Sequence, residues 1–199
     1  MMTRYFLVTL VGISLSACTS TPAVRFYILE SLSQTAPSHI EISRQRSIGI
    51  GPLTVPAILE RKQIVTRLPG NAVQIAESRQ WASPLQDNLL QALTRNLSSL
   101  QPGNIVRAYP WSVHGTVDLQ VIVDIIRFDT TLGESVNLEA NWTIKNEKTN
   151  GILKNGRSVI NHSLSDSSYP GTVRALSKIL GEFSQELSIS IQKIETGNI

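Results

Sequence analysis

The sequence predicts an α+β fold, an antiparallel or mixed sheet packed against two long helices in a single domain. Three observations carry that prediction. Strand-like alternation of apolar and polar residues is clustered, most clearly over residues 117–126 and 136–145, and does not alternate with helical segments. Two segments, 85–100 and 169–194, have apolar residues at helical spacing. The chain has 199 residues, 41% of them hydrophobic and 17% charged, which suits one folded core and excludes the charge-rich composition of disordered chains. No internal repeat is visible.

Taken in order, residues 24–29 (Val-Arg-Phe-Tyr-Ile-Leu) read as a first strand. Residues 31–46 are polar, contain Pro37 and hold no sustained period, so they read as loop. From Ile48 to Pro56 apolar residues alternate, and the prolines at 52 and 56 place this strand at or near a sheet edge. Pro69-Gly70-Asn71 separates two short strand-like runs, 64–66 and 73–75, and predicts a hairpin. A helix opens next: Ser83 as cap, Pro84 at the first helical position and Gln86 three residues after the cap make a capping-box signature. Its stripe is Leu85, Leu89, Leu93, Leu97 and Leu100, and Pro102-Gly103 ends it.

Val117, Leu119, Val121, Val123 and Ile125 then share one strand face, although Ile122 and Ile126 make the other face partly apolar. Val136, Leu138, Ala140, Trp142 and Ile144 alternate in the next strand, and Asn150-Gly151 turns the chain into a third through Val159 and Ile160. These strands predict an antiparallel meander. A second helix from Tyr169 to about Ile194, with Pro170 in its first turn, carries Val173, Leu176, Leu180, Phe183, Leu187, Ile191 and Ile194 on one face.

The first eighteen residues define the compartment. Arg4 precedes an uncharged apolar run, Tyr5–Leu15, too short for a membrane span of roughly twenty residues and of the right length for an export signal. Leu15-Ser16-Ala17-Cys18 has the lipobox pattern of bacterial lipoproteins. Cys18 is the only cysteine in the chain, at the one position where lipid attachment would use it. The expectation is a signal peptide at 1–17, removed on export, a lipidated tether at 18–23 and a folded domain at 24–195. Two or three acyl chains on Cys18 give a stable anchor, where one would not. Thr19 is not the aspartate associated with inner-membrane retention, which favours the periplasmic face of a Gram-negative outer membrane.

Chemistry-bearing clusters are scarce. The net charge is +3, and the basic residues are scattered without aromatic interleaving, so no nucleic-acid partner is expected. His39, His114 and His162 lie in separate segments, without metal-ligand spacing. No G-x-S-x-G elbow marks a nucleophile, and Asp118 and Asp124, on one strand face, are about 20 Å apart, too far for paired-carboxylate catalysis. No catalytic residue, metal or cofactor is therefore expected. One segment mixes exposed-type apolar residues, a proline and cations: residues 55–67, with Pro56, Ile58, Leu59, Arg61 and Arg67. It reads either as a strand connection that caps the core or as a contact for a partner or lipid. Trp81, just ahead of the first helix, reads either as a further contact or as a core plug.

The lipobox, the early Arg-Phe-Tyr-Ile-Leu at 25–29, the long run Ile48–Arg67 and the helix entry Arg79-Gln80-Trp81-Ala82-Ser83-Pro84-Leu85 together resemble the PqiC-like ABC-type transport auxiliary lipoproteins. Order and spacing agree through the N-terminal half; the C-terminal half agrees in its strand-then-helix pattern. Lys62 departs from the proline that family favours. The resemblance implies a non-enzymatic outer-membrane lipoprotein of an intermembrane lipid transport system, forming a homo-oligomer. It also implies docking to a periplasm-spanning MCE-domain protein, in company with an inner-membrane transport component. An alternative is a periplasmic lipid- or glycan-binding lipoprotein with a cleft between helix and sheet. A third, a hydrolase, rests on unpatterned Ser, His and Asp alone.

Overall fold

The computed structural model describes residues 22–32, 45–111 and 115–197. The leader, Cys18, most of the 31–46 loop, His39 and His114 lie outside the described residues. In chain order the elements are β1 (Arg25–Tyr27), β2 (Ser47–Thr54), a 3-10 turn (Ala57–Leu59), β3 (Gln63–Arg67) and β4 (Val73–Trp81). They continue with α1 (Leu85–Leu100), β5 (Ile105–Ala108), β6 (Leu119–Thr131), β7 (Ser135–Asn146), β8 (Ile152–Ser163) and α2 (Tyr169–Glu195). The strands form two sheets, ordered β5-β2-β6-β7-β8 and β1-β4-β3.

The predicted meander is β6-β7-β8, antiparallel throughout. Its hairpin at Asn150-Gly151 closes with Asn150 at φ 55° and the Asn146 N–H donating to the Gly151 carbonyl at 2.9 Å. The rest of the large sheet is parallel: β2 lies between β5 and β6 and runs alongside both. The 48–56 strand thus lies one place in from the edge, within the placement at or near an edge that its prolines predict. β5 pairs only with Ser47–Ile50, so Pro52, with no N–H to offer, falls where β2 has a neighbour on one side alone. β5 itself, four residues long, is too short to show a period.

Both helices bury their predicted stripes. Leu85, Leu89, Leu93 and Leu97 of α1 and Val173, Leu176, Leu180, Phe183, Leu187 and Ile191 of α2 join Ile48, Ile50, Val121, Val123, Ile125, Val136, Leu138 and Ile144 of the sheet in one core. α1 packs over β2 and β5, α2 over β6, β7 and β8. The capping box is not formed. Pro84 is the N-cap of α1, so Ser83 falls one position outside the helix, and the Gln86 amide donates instead to the Leu53 carbonyl at 2.7 Å. α2 is capped as its sequence allows, with the Ser168 hydroxyl accepting from the Gly171 N–H at 3.1 Å.

The β6 strand runs five residues beyond its predicted end. Its pairing with β7 shifts register between Ile125 and Arg127, so Ile126 is an extra residue, turned outward, and the buried positions pass from odd numbers to Phe128 and Thr130. That bulge positions the candidate site.

Candidate functional site

The segment 55–67 folds back on itself through a tight turn that starts at Pro56. Pro56 accepts a hydrogen bond from the Leu59 N–H at 2.8 Å, closing the 3-10 turn that points Leu59 into the core and leaves Ile58 exposed. Arg61 reaches back, its Nε donating to the Ile58 carbonyl at 3.0 Å. β3 then alternates: Ile64 and Thr66 are buried, while Val65 and Arg67 face the other way. Arg67 pairs across the hairpin with Val73, and the turn places Gly70 and Asn71 at positive φ, 71° and 63°.

Opposite this hairpin stands the bulged end of β6. Between them lies an open cleft of about 170 Å³, lined by Pro56, Ile58, Leu59, Val65, Arg67, Val73, Ile126, Arg127, Phe128 and Asp129. Leu59, Phe128 and Asp129 are its buried members; Ile58, Val73 and Ile126 are exposed. The charged end is organised around one carboxylate. Asp129 Oδ2 accepts from Arg67 Nε and from Arg127 Nε, the latter at 2.8 Å, and Oδ1 accepts from the Asn137 amide at 3.0 Å. Burial alone would raise the Asp129 pKa, but the hydrogen bonds from Arg127, Arg67 and Asn137 outweigh it and hold the carboxyl below its ordinary value. Two guanidiniums against one carboxylate leave the cluster with a net charge of +1.

Of the residues singled out from sequence, Pro56, Ile58, Leu59 and Arg67 are brought together in the cleft. Arg61 braces the turn from beside it. Trp81 lies elsewhere: it is 4% exposed, takes its place in the core, and its N–H donates to the Lys62 carbonyl at 2.7 Å. Sequence reasoning took in Val65 with the segment 55–67 without naming it as a contact, and missed Val73, Ile126, Arg127, Phe128 and Asp129. The available signal was the break in alternation at Ile126-Arg127, which marks a bulge.

Among the described residues, the other carboxylates and the histidine weighed from sequence have structural partners. Asp118 accepts from the Ser47 N–H and hydroxyl, both at 2.9 Å, and from Lys148 Nζ at 2.8 Å. Those bonds, Lys148 first, hold its carboxyl far below the usual range. Asp124 accepts from the Thr54 hydroxyl, so the two carboxylates pin opposite ends of β2. His162 Nε2 lies 2.7 Å from Glu182, and Ser158 bonds Glu186 and the Trp142 ring nitrogen. Among the described residues, no three His, Cys, Asp or Glu side chains group as metal ligands, and no helix is long and apolar enough to cross a membrane.

A helix-covered mixed sheet with a small second sheet on its flank is a fold shared with known solved structures. Protein XCC0632 from Xanthomonas campestris superposes with a TM-score of 0.72 at 13% identity, covering 88% of this chain and 98% of its own. A second crystal structure, of an uncharacterised protein, superposes at 0.71 with 20% identity, covering 85% of this chain and 99% of its own. The family model of the ABC-type transport auxiliary lipoprotein component matches residues 27–188, and the chain belongs to that family. It is also similar to the intermembrane transport lipoprotein PqiC of Escherichia coli K12, 24% identical over 144 residues, 72% of this chain and 75% of that protein. The PqiC of Shigella flexneri matches equally.

Proposed function

We propose that this protein is an outer-membrane lipoprotein of an intermembrane lipid transport system, acylated at Cys18 after residues 1–17 are removed. In this reading the domain 24–195 docks a periplasm-spanning MCE-domain protein at the outer membrane, as part of a homo-oligomer, with an inner-membrane component at the far end of the same system. The lipobox, membership of a transport auxiliary lipoprotein family and similarity to a protein named for intermembrane transport support it.

The observation that carries the docking role is the cleft between the 55–67 segment and the β6 bulge. Its size decides what it takes. Small-molecule sites commonly enclose about 300–1,000 Å³, and a cleft of about 170 Å³ suits one or two apolar side chains of a protein partner better than an acyl chain. The two guanidiniums beside it favour a partner segment with a carboxylate next to its apolar residue. The alternative of a lipid or glycan held between helix and sheet finds no support there, since that interface is filled by core side chains.

The test is co-purification of the acylated protein with the MCE-domain protein of the same organism, comparing the wild type with Ile58→Asp and Val73→Asp, both exposed positions. Capture by the wild type and a loss of roughly tenfold or more in affinity in the variants is expected for contacts at the centre of an interface. Undiminished capture by both variants would remove the cleft from the interface, and no capture by the wild type would remove the docking role.

A further inference from the structure

The exposed apolar residues of the fold are not all at the cleft. Val24, Phe26 and Ile28 are 44%, 64% and 53% exposed, at alternate positions along β1 and its extension, while Tyr27 is half-buried and Leu29 buried on the opposite side. Among the described residues, β1 is the outer strand of the small sheet and pairs with β4 alone. In the same row across the sheet stand the uncharged Gln80 and Gln63. The only charge from Pro22 to Leu29 is Arg25. A row of this kind on an edge strand, ending in an exposed phenylalanine, requires a cover.

Covalent reach says which cover is at hand. Val24 follows Cys18 by six residues, which span at most about 20 Å when fully extended. The distance is shorter than the hydrocarbon thickness of a bilayer, about 30 Å. Beyond the stripe the chain is clamped: the Leu29 N–H donates to Asn88 Oδ1 at 3.1 Å, Glu30 N–H to the Ser177 hydroxyl at 3.0 Å and Leu32 N–H to Asn96 Oδ1 at 2.7 Å. The stripe is therefore tied to a nearby anchor at one end and to the α1-α2 pair at the other.

Resting on the lipoprotein reading above, we infer that Val24, Phe26 and Ile28 are a second membrane contact, seated in the interfacial region of the leaflet that holds the Cys18 acyl chains. Among the described residues the outer edge of β1 has no neighbouring strand, so its backbone groups must stay hydrated and the contact stops at the headgroup level. Phenylalanine and flanking isoleucine and valine supply the apolar area, while Arg25 alternates to the other side of the strand with Tyr27. Two attachments set an orientation where one would leave the domain swinging: β1 faces the bilayer. The docking cleft, on the other edge strand of the same three-stranded sheet, then lies about 10 Å across from it.

Because Cys18 is the sole cysteine and is acylated in this reading, Phe26→Cys in the full lipidated protein carries a unique site for a bimane label. Labels at Ile152→Cys and Ile189→Cys, exposed positions on β8 and α2, serve as controls. The labelled proteins are placed in phosphatidylethanolamine–phosphatidylglycerol vesicles containing lipids with a nitroxide near the headgroup. Roughly twofold or greater quenching at 26, with little at 152 and 189, is the expected result for a label at the headgroup level. Unquenched label at 26 in protein that floats with the vesicles overturns the inference and leaves the anchor reading intact. Disulfide cross-linking between copies at 26 without lipid quenching also overturns it, assigning the stripe to a second copy. Failure of the wild-type protein to float overturns the lipoprotein reading itself.

Discussion

Arg67 on β3 and Asp129 on β6 form the ion pair that joins the small sheet to the large one across 62 residues of sequence. Asp129 sits on the large-sheet side with Arg127 and Asn137 as its other partners, so it is the fixed member and Arg67 the arriving one.

Asp129→Asn is therefore expected to destabilise the fold by about 1–3 kcal/mol, since a buried acceptor of charge-assisted bonds is replaced by a neutral amide. Chemical denaturation checks it. The sign with pH follows from the depressed carboxyl: its stabilisation is complete above the ordinary aspartate value, near 4, and is lost as pH falls from there through the lower folded value. The difference between wild type and Asp129→Asn should shrink across that acid window and be constant at neutral pH.

Gly156 on β8 lies against the Trp142 ring of β7, its paired neighbour, such that an added Cβ would stand 2.4 Å from Trp142 Cζ2. Gly156→Ala must push the indole off its site, where its Nε1 donates to Ser158 at 3.1 Å. The expected cost is about 1–3 kcal/mol. A lowered Tm together with a shifted tryptophan emission would report it; an unchanged pair of values would show that the ring yields freely.

Asn96, fully buried on α1, uses its carbonyl oxygen to accept the Leu32 N–H and its amide to donate to the Ser184 hydroxyl of α2 at 2.9 Å. Asn96→Ala leaves the Leu32 N–H without that acceptor and opens the helix seam, for an expected loss of about 2–3 kcal/mol. Hydrogen exchange should rise first at the Leu32 amide, while the β6-β7 ladder keeps its protection.

Native material analysed by mass spectrometry should begin at Cys18 and carry the mass of two or three acyl chains. A chain still bearing residues 1–17 would contradict the anchor on which the functional reading stands.

Much of this protein was determined by local sequence. Both helices were legible because each leucine-rich stripe repeats at 3.6 residues, and the meander because strand alternation and Asn150-Gly151 are encoded within a dozen residues of one another. Four of the ten residues lining the cleft were singled out from one stretch, 55–67, by their unusual mixture of apolar and cationic side chains.

The tertiary structure alone decided the rest. Whether β2 had one neighbour or two depended on β5 and β6, which pair with it in parallel from across the α1 crossover and leave no mark on its own alternation. Of the two readings left open for Trp81, packing selected the core plug, and the capping box gave way to a bond between Gln86 and Leu53. The cleft needed a bulge in β6 to turn Ile126 outward and a hairpin from sixty residues earlier to meet it. Periodicity records which face of an element is apolar, but which faces meet is settled only when the whole chain closes its core.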